Sequence, residues 1–416
     1  MKHTPLRYLA RIQNSNVDKV IEDGETPVRL CNYVHVFRND KITADMAFDQ
    51  GSATKMERKV FALNPGDVII TKDSEDPREI GVPALVVSSA EDIVCGYHLT
   101  ILRPNEGVHG PYLFYGLCSK VAQEQFMLSA RGITRFGLNQ TGIGDCAIPL
   151  PSMARQVEIA NMLERNTRLI DDMIKEKSGF ITLLQEKRVA EISHAVTKGI
   201  NPDTPMKPSG ADWFGDVPAH WDAVPANWLF QPSKKLAMEG DQLLSATQKY
   251  GVIPLAEFEE LAGRKVTLAL TNLEKRKHVE VGDFVISMRS MDGGLERARA
   301  RGSVRSSYIV LKFTDEVDGR FYGYLLKSNL FIQALRLTAN FVRDGQDMHF
   351  GHFRAVKLPR LPCLEQAAIA NHLDRETTRI DGLIHETEHS IALLKEKRAA
   401  LITAAVTGKI NVRNAA

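Results

Sequence analysis

The sequence predicts an α+β protein built as one module used twice: two β-rich globular domains and two long helices, with an internal pseudo-two-fold repeat. Two observations predict it. A helical segment recurs at an offset of 210 residues in a chain of 416. The stretch ahead of each copy is rich in β-branched and aromatic runs broken by turn residues.

The repeat comes first. Gln156–Asn201 and Gln366–Asn411 align without a gap over 46 positions, and about half of them are identical. Ile159-Ala160-Asn161 matches Ile369-Ala370-Asn371, Glu186-Lys187-Arg188 matches Glu396-Lys397-Arg398, and Ala195-Val196-Thr197 matches Ala405-Val406-Thr407. Within each copy one apolar stripe runs at helical spacing. It is Ile170, Ile174, Ile181, Leu184 and Ile192 in the first, and Ile380, Ile384, Ile391, Leu394 and Ile402 in the second. Thr167–Val196 contains no proline and one glycine, so a helix of about 30 residues and about 45 Å is expected. The simplest partner for so narrow a stripe, with charges on both sides, is the other copy, as a two-helix coiled coil. The plainer alternative packs each stripe on its own domain.

The globular segments echo each other weakly. Leu63-Asn64-Pro65-Gly66-Asp67-Val68-Ile69-Ile70 and Val279-Glu280-Val281-Gly282-Asp283-Phe284-Val285-Ile286 both read as a turn entering a buried strand. Strand-like runs follow from Tyr97 and Tyr308, then helix-like aromatic stretches at Tyr112–Leu117 and Phe321–Leu326. Gly132–Gly137 stands where the second copy has Asn340–Gly345. The expected boundaries are 1–148 and 221–358 for the globular domains, 149–200 and 359–411 for the helical regions, and 201–220 for a linker. Asn201–Pro225 holds five prolines, which favours an extended, irregular path.

Composition narrows the function classes. The 53 basic and 51 acidic side chains leave a formal net charge of +2, which argues against a polybasic tail or a charge-driven disordered chain. Five cysteines, with no CxxC pair, argue against a disulfide framework and fit a reducing, cytoplasmic setting. No apolar run is long enough to span a membrane and the first residues lack a signal-like core.

Catalytic motifs are missing. Gly132–Gly137 has phosphate-loop glycine spacing, but Leu138-Asn139 follows where Lys-Ser/Thr is required. His349 and His352 form the one close histidine pair without an evident third ligand, so no metal site is expected. Asn64-Pro65 is followed by Gly66-Asp67, not by the remainder of an amino-methyltransferase motif. Binding chemistry is present instead. Arg29, Asn32, Tyr33, Lys72, Ser74, Thr134 and Arg135 in the first domain mix basic, amide and aromatic groups. Gln248, Lys249, Tyr250, Arg289, Arg343 and Gln346 do so in the second. Arg and Lys read guanine or hold phosphates, and Asn and Gln read adenine, although a polar loop is ordinarily just solvated.

With these residues in place, the chain resembles the specificity subunits of type I restriction–modification systems. The resemblance rests on Leu361-Pro362-Cys363-Leu364-Glu365-Gln366-Ala367-Ala368-Ile369-Ala370-Asn371-His372-Leu373-Asp374. It continues through Thr377–Ile384, Ile391–Arg398 and Ala405–Ile410, with the lead-in Trp213–Trp221. The first copy departs from it with Ala154-Arg155-Gln156 and with Lys198-Gly199 for Gly408-Lys409. The resemblance implies two target recognition domains, each reading half of a split, asymmetric site in double-stranded DNA. It also implies an antiparallel coiled coil that spaces them, and docking of two methyltransferase (modification) subunits and of motor/endonuclease (restriction) subunits. S-adenosylmethionine, ATP and Mg would then belong to those partners, with no cofactor in this chain and no catalysis by it. The rivals are a specificity chain of a fused type II-like system, an enzyme acting by itself, and a scaffold without a DNA role.

Overall fold

A computed structural model describes residues 3–266, 273–287, 290–338 and 350–410. The chain divides into two compact units, Met1–Ser178 with Glu388–Ala416, and Gly179–Thr387.

The first unit is organised by the turn at Gly66-Asp67. Gly66 has φ +92°, a region that disfavours side chains, and the Asp67 carboxylate accepts the Asn64 N–H at 2.9 Å. The turn launches Val68–Thr71, four residues buried on both faces, as expected of an apolar β-branched run. This strand is central in a five-stranded sheet with the order Ala10–Asn14, Leu99–Pro104, Val68–Thr71, Pro83–Val86, Lys41–Ile42. All its pairings are antiparallel except the last. Arg103 reaches across to Asp67 through two hydrogen bonds, 2.9 and 2.7 Å, which offsets the cost of burying that carboxylate. A second, three-stranded sheet orders Asp49–Ala53, Thr26–Cys31 and Ile93–Cys95.

The second unit repeats the plan. Gly282 has φ +94°, Asp283 accepts the Glu280 N–H at 2.9 Å, and Lys312 takes the place of Arg103 at 3.0 Å. The sheet order is Phe230–Ser233, Ile309–Phe313, Phe284–Ile286, Glu296–Arg297, matching four strands of the first unit. The helices Gly110–Cys118 and Gly319–Leu325 follow at equivalent points. The turn, strand and helix echoes of the sequence are therefore real structural equivalences.

The long helices run Met153–Lys198 and Cys363–Val406, 46 and 44 residues. They exceed the expected 30 because the apolar positions ahead of Thr167 are helical too, and pack on a globular domain. In the first unit, Ile159, Met162 and Leu163 share a core with Tyr112, Leu117 and Phe126. Ile402, Ala405 and Val406, from the far end of the second helix, complete that core. In the second unit, Ile369 and Leu373 join Ala195 and Val196, from the far end of the first helix, around Trp221, Phe321 and Tyr322. Each large aliphatic side chain so buried contributes about 1.5–3 kcal/mol. Each unit thus holds the start of one helix and the end of the other.

Within each unit the two helix portions run antiparallel. Arg398 pairs with Asp171 at 2.9 Å in the first unit, where residues 159–163 and 402–406 lie together further along. Arg188 pairs with Asp381 at 3.0 Å and Glu191 with His372 at 2.7 Å in the second. Ile170, Leu184, Ile380 and Ile402 of the apolar stripes are buried; Ile174, Ile181, Ile192, Ile384, Ile391 and Leu394 are half-buried.

The proline-rich stretch after the first helix is more ordered than its composition suggests. Met206–Pro208 pairs antiparallel with Asp216–Pro218, and Phe214, Val217 and Trp221 enter the second core. The Trp221 indole N–H donates to Glu365 at 3.1 Å and His220 meets the same carboxylate at 2.7 Å, so the tryptophan lead-in anchors the first turn of the second long helix.

Candidate nucleic-acid interface

In the first unit, a loop between Arg131 and Gly137 forms the most exposed part of the predicted surface. Two backbone hydrogen bonds close it, Arg131 N–H to Gly137 at 3.0 Å and Gly137 N–H to Arg131 at 2.8 Å. Gly132, at φ +140°, is required there, because a Cβ would lie 1.9 Å from the Arg135 carbonyl oxygen. The closed loop presents Ile133, Thr134 and Arg135 to solvent, with Ile133 94% exposed.

Arg135 is not loose. Its Nη2 donates to Asp73 Oδ1 at 2.7 Å, and the other oxygen of that carboxylate meets His98 Nδ1 at 2.7 Å. Asp73 raises the guanidinium above its ordinary value, first through that hydrogen bond and then through its charge. The His98 ring lies against Tyr97, centroids 3.7 Å apart. Asp73-Ser74 pairs with Phe136-Gly137, which brings Ser74 beside the loop. Tyr33 stacks on Phe37 at 5.3 Å; burial raises its phenol, and the nearby Ser74 side chain opposes this. Tyr33, Ser74, Thr134 and Arg135 are thus brought together, while Asp73, Tyr97 and His98 escaped sequence reasoning. Strand alternation was the available signal for Asp73, which sits between two residues that were singled out.

Other residues from the same prediction serve the fold. Lys72 turns inward, donating to the Ser15 carbonyl at 3.0 Å, and burial lowers its ammonium despite nearby Asp73. Arg29 forks onto Asp92 at 2.7 and 2.8 Å and reaches the Ala44 carbonyl at 2.9 Å. Asn32 donates to Asp49 at 2.6 Å.

In the second unit, Gln248, Lys249 and Tyr250 lie together, with the Lys249 ammonium 5.0 Å from the Tyr250 ring centroid. Gln248 and Lys249 border a cavity of about 600 Å³. Arg289, Arg343, Gln346 and His349 lie outside the described residues, as does the second-copy counterpart of the Arg131–Gly137 loop. Among the described residues no group of three His, Cys, Asp or Glu side chains could hold a metal. No helix there is long and apolar enough to cross a membrane.

No family model matches the chain. Its sequence is similar to two proteins of Methanocaldococcus jannaschii. A protein described as the MjaX type I restriction enzyme specificity subunit is 24% identical over 364 residues, 85% of this chain and 80% of that one. The MjaVIII type I restriction enzyme specificity subunit is 21% identical over 372 residues, 86% and 83%. The fold is shared with a chain from a solved type I R-M system assembly, at TM-score 0.69 and 15% identity, covering 97% of each chain. It is shared also with the HsdS subunit from Thermoanaerobacter tengcongensis, at TM-score 0.53 and 16% identity, covering 98% of this chain and 97% of that one. The resemblance to type I specificity subunits carried by the helical repeat is borne out by the two relatives, and the solved structures share the fold.

Proposed function

We propose that this chain is the DNA-recognition subunit of a type I restriction–modification complex. Each globular domain reads one half of a bipartite, asymmetric site. The observation that carries the proposal is one scaffold built twice, with its turn, sheet order and helix joints retained while the exposed polar residues differ. A shared frame with divergent readers suits two different half-sites.

In the first domain, Arg135 is the leading base reader. Asp73 occupies one of its nitrogens and leaves the rest of the guanidinium for a guanine edge. Thr134 and Tyr33 flank it. Gln248, Lys249 and Tyr250, with Arg289, Arg343 and Gln346, are the candidates in the second domain. The two long helices form an antiparallel coiled coil that spaces the readers. At 1.5 Å per residue a helix of 46 residues is about 69 Å long, roughly two turns of B-DNA.

The chain does no chemistry itself. Two modification subunits carrying S-adenosylmethionine methylate an adenine flipped from the stack, and restriction subunits supply ATP- and Mg-dependent translocation and cleavage. Exposed apolar residues on the long helices support docking: Leu169 and Met173 in the first unit, Phe180, Leu183 and Val189 in the second.

The test is duplex binding by the full chain with its modification subunits, measured against salt. Sequence-selective binding with a negative slope of log K on log salt is expected. Equal affinity for every duplex, or none, would overturn the reading.

A further inference from the structure

The equivalent joints of helix and globular domain differ in charge. In the first unit, a cavity of about 610 Å³ is lined by Arg38, Lys41, Arg168 and Arg398 and, against these four cations, by Asp40, Glu164, Asp171 and Asp172. Lys41 pairs with Glu164, and Arg398 with both Asp40 and Asp171, so this joint is balanced. In the second unit, the cavity of about 600 Å³ is lined by six cations, Arg188, Lys249, Arg297, Arg299, Arg320 and Lys327, and two carboxylates, Glu296 and Asp374.

Pairing accounts for half of those cations. Arg188 meets Asp381 at 3.0 Å, Arg320 meets Asp374 at 2.9 Å, and Lys327 meets Glu296 at 2.7 Å. Lys249, Arg297 and Arg299 have no ion pair among the described residues. The Arg297 Nε is buried there without a hydrogen-bond partner. Burial lowers the Arg297 guanidinium; Asp318 opposes this, and Arg320 and Arg299 add to it. Lys249 and Arg299 are exposed and solvated, whereas Arg297 buries an unpartnered Nε, so an anion entering the concavity would meet three cations free of carboxylates and satisfy that nitrogen. The lining also includes apolar side chains, Val189, Ile192, Leu295 and Tyr324. A volume of this size suits a small ligand with an apolar end and a polyanionic end.

We propose that the second unit binds a free nucleoside polyphosphate in this cavity, its base against these apolar side chains and its phosphates on Lys249, Arg297 and Arg299. The cavity borders the duplex-contact candidates Gln248 and Lys249, so Lys249 would serve both readings, and the two titrations tell them apart.

The experiment is calorimetric titration of the full chain with ATP and, separately, with inorganic triphosphate. One-to-one saturable binding of ATP is expected, tighter than triphosphate because the base adds contact. K249Q with R299Q should weaken it at least about tenfold. Both side chains are exposed, so the fold should survive, and an unchanged melting curve verifies this. K41Q in the balanced joint should leave ATP binding unchanged. Three results would overturn the proposal. They are no saturable binding of either probe, binding indifferent to the double substitution, and a double substitution that weakens duplex DNA alone. Sequence-selective duplex binding is read in a separate titration, so failure here leaves the DNA-recognition reading standing, and the converse.

Discussion

Tyr112 and Tyr322, 210 residues apart, make the same bond: each buried phenol donates to a proline carbonyl, Pro149 at 2.7 Å and Pro359 at 3.0 Å. Each tyrosine lies on the helix that covers its sheet, and each proline lies in the strand leading to a long helix, Pro149 its last residue and Pro359 its last but one. The bond therefore ties the globular domain to the helix entry in both units. Tyr112→Phe and Tyr322→Phe should each lower stability by about 1–2 kcal/mol by leaving a carbonyl unpaired. Urea unfolding of each variant measures this, and clearly unequal losses would break the claimed equivalence.

The paired arginines should not be equal. Arg398 holds Asp171 and Asp40 with its side chain 19% exposed, whereas Arg188 holds Asp381 with 38% exposed. Burial works against the Arg398 charge, but Asp40 and Asp171 outweigh it and leave the guanidinium above its ordinary value. Arg398→Met, which strands two carboxylates, should cost about 1–3 kcal/mol. Arg188→Met should cost under about 1 kcal/mol. Thermal melts of both variants rank them, and the reverse order would contradict the assignment.

Tyr324 provides a pH test. Burial raises its phenol from 10.0 to about 12, Thr377 lowering it and Asp374 raising it. A raised acid is neutral in the fold while the unfolded chain ionises, so its stabilising contribution is complete below pH 10.0 and lost as pH rises through about 12. Tyrosinate absorbance of wild type against Tyr324→Phe should remove a late-titrating component. Removal of one that titrates at the ordinary position would count against this environment.

The thiols differ in reach. Burial pushes Cys31 and Cys146 up to about 12 and raises Cys95 and Cys118, while Cys363 is exposed. A disulfide-exchange reagent should label Cys363 rapidly in the native chain, the half-buried Cys118 slowly, and Cys31, Cys95 and Cys146 only on unfolding. Fast labelling of a Cys363→Ser variant would contradict the packing.

Much of this architecture was readable because the module is repeated. Gly66-Asp67 and Gly282-Asp283 mark the same turn, and the retained Gln156 and Gln366 do the same work. Gln156 accepts the His109 N–H and Gln366 the Asp318 N–H, both at 2.9 Å. The exchange of helix ends was not read, although Ala195-Val196-Thr197 and Ala405-Val406-Thr407 carried it as identical triplets whose alanine and valine are buried. Periodicity reports that a face is apolar, not which domain covers it. The candidate recognition cluster was half legible for a related reason. Arg135 and Thr134 show their type in sequence, but only three-dimensional pairing of Asp73 with Arg135 and His98 separates an exposed, held arginine from Lys72 and Arg29, which face inward to structural partners.

The most direct test of the central claim is single-molecule methylome sequencing of a host expressing this chain with its modification subunits. Wild type is compared with deletion of the chain and with Arg135→Ala. The account predicts one split adenine-methylated motif that vanishes on deletion, and that Arg135→Ala relaxes or abolishes one half while the other half persists. Methylation that ignores the deletion, or halves that change together in Arg135→Ala, would contradict it.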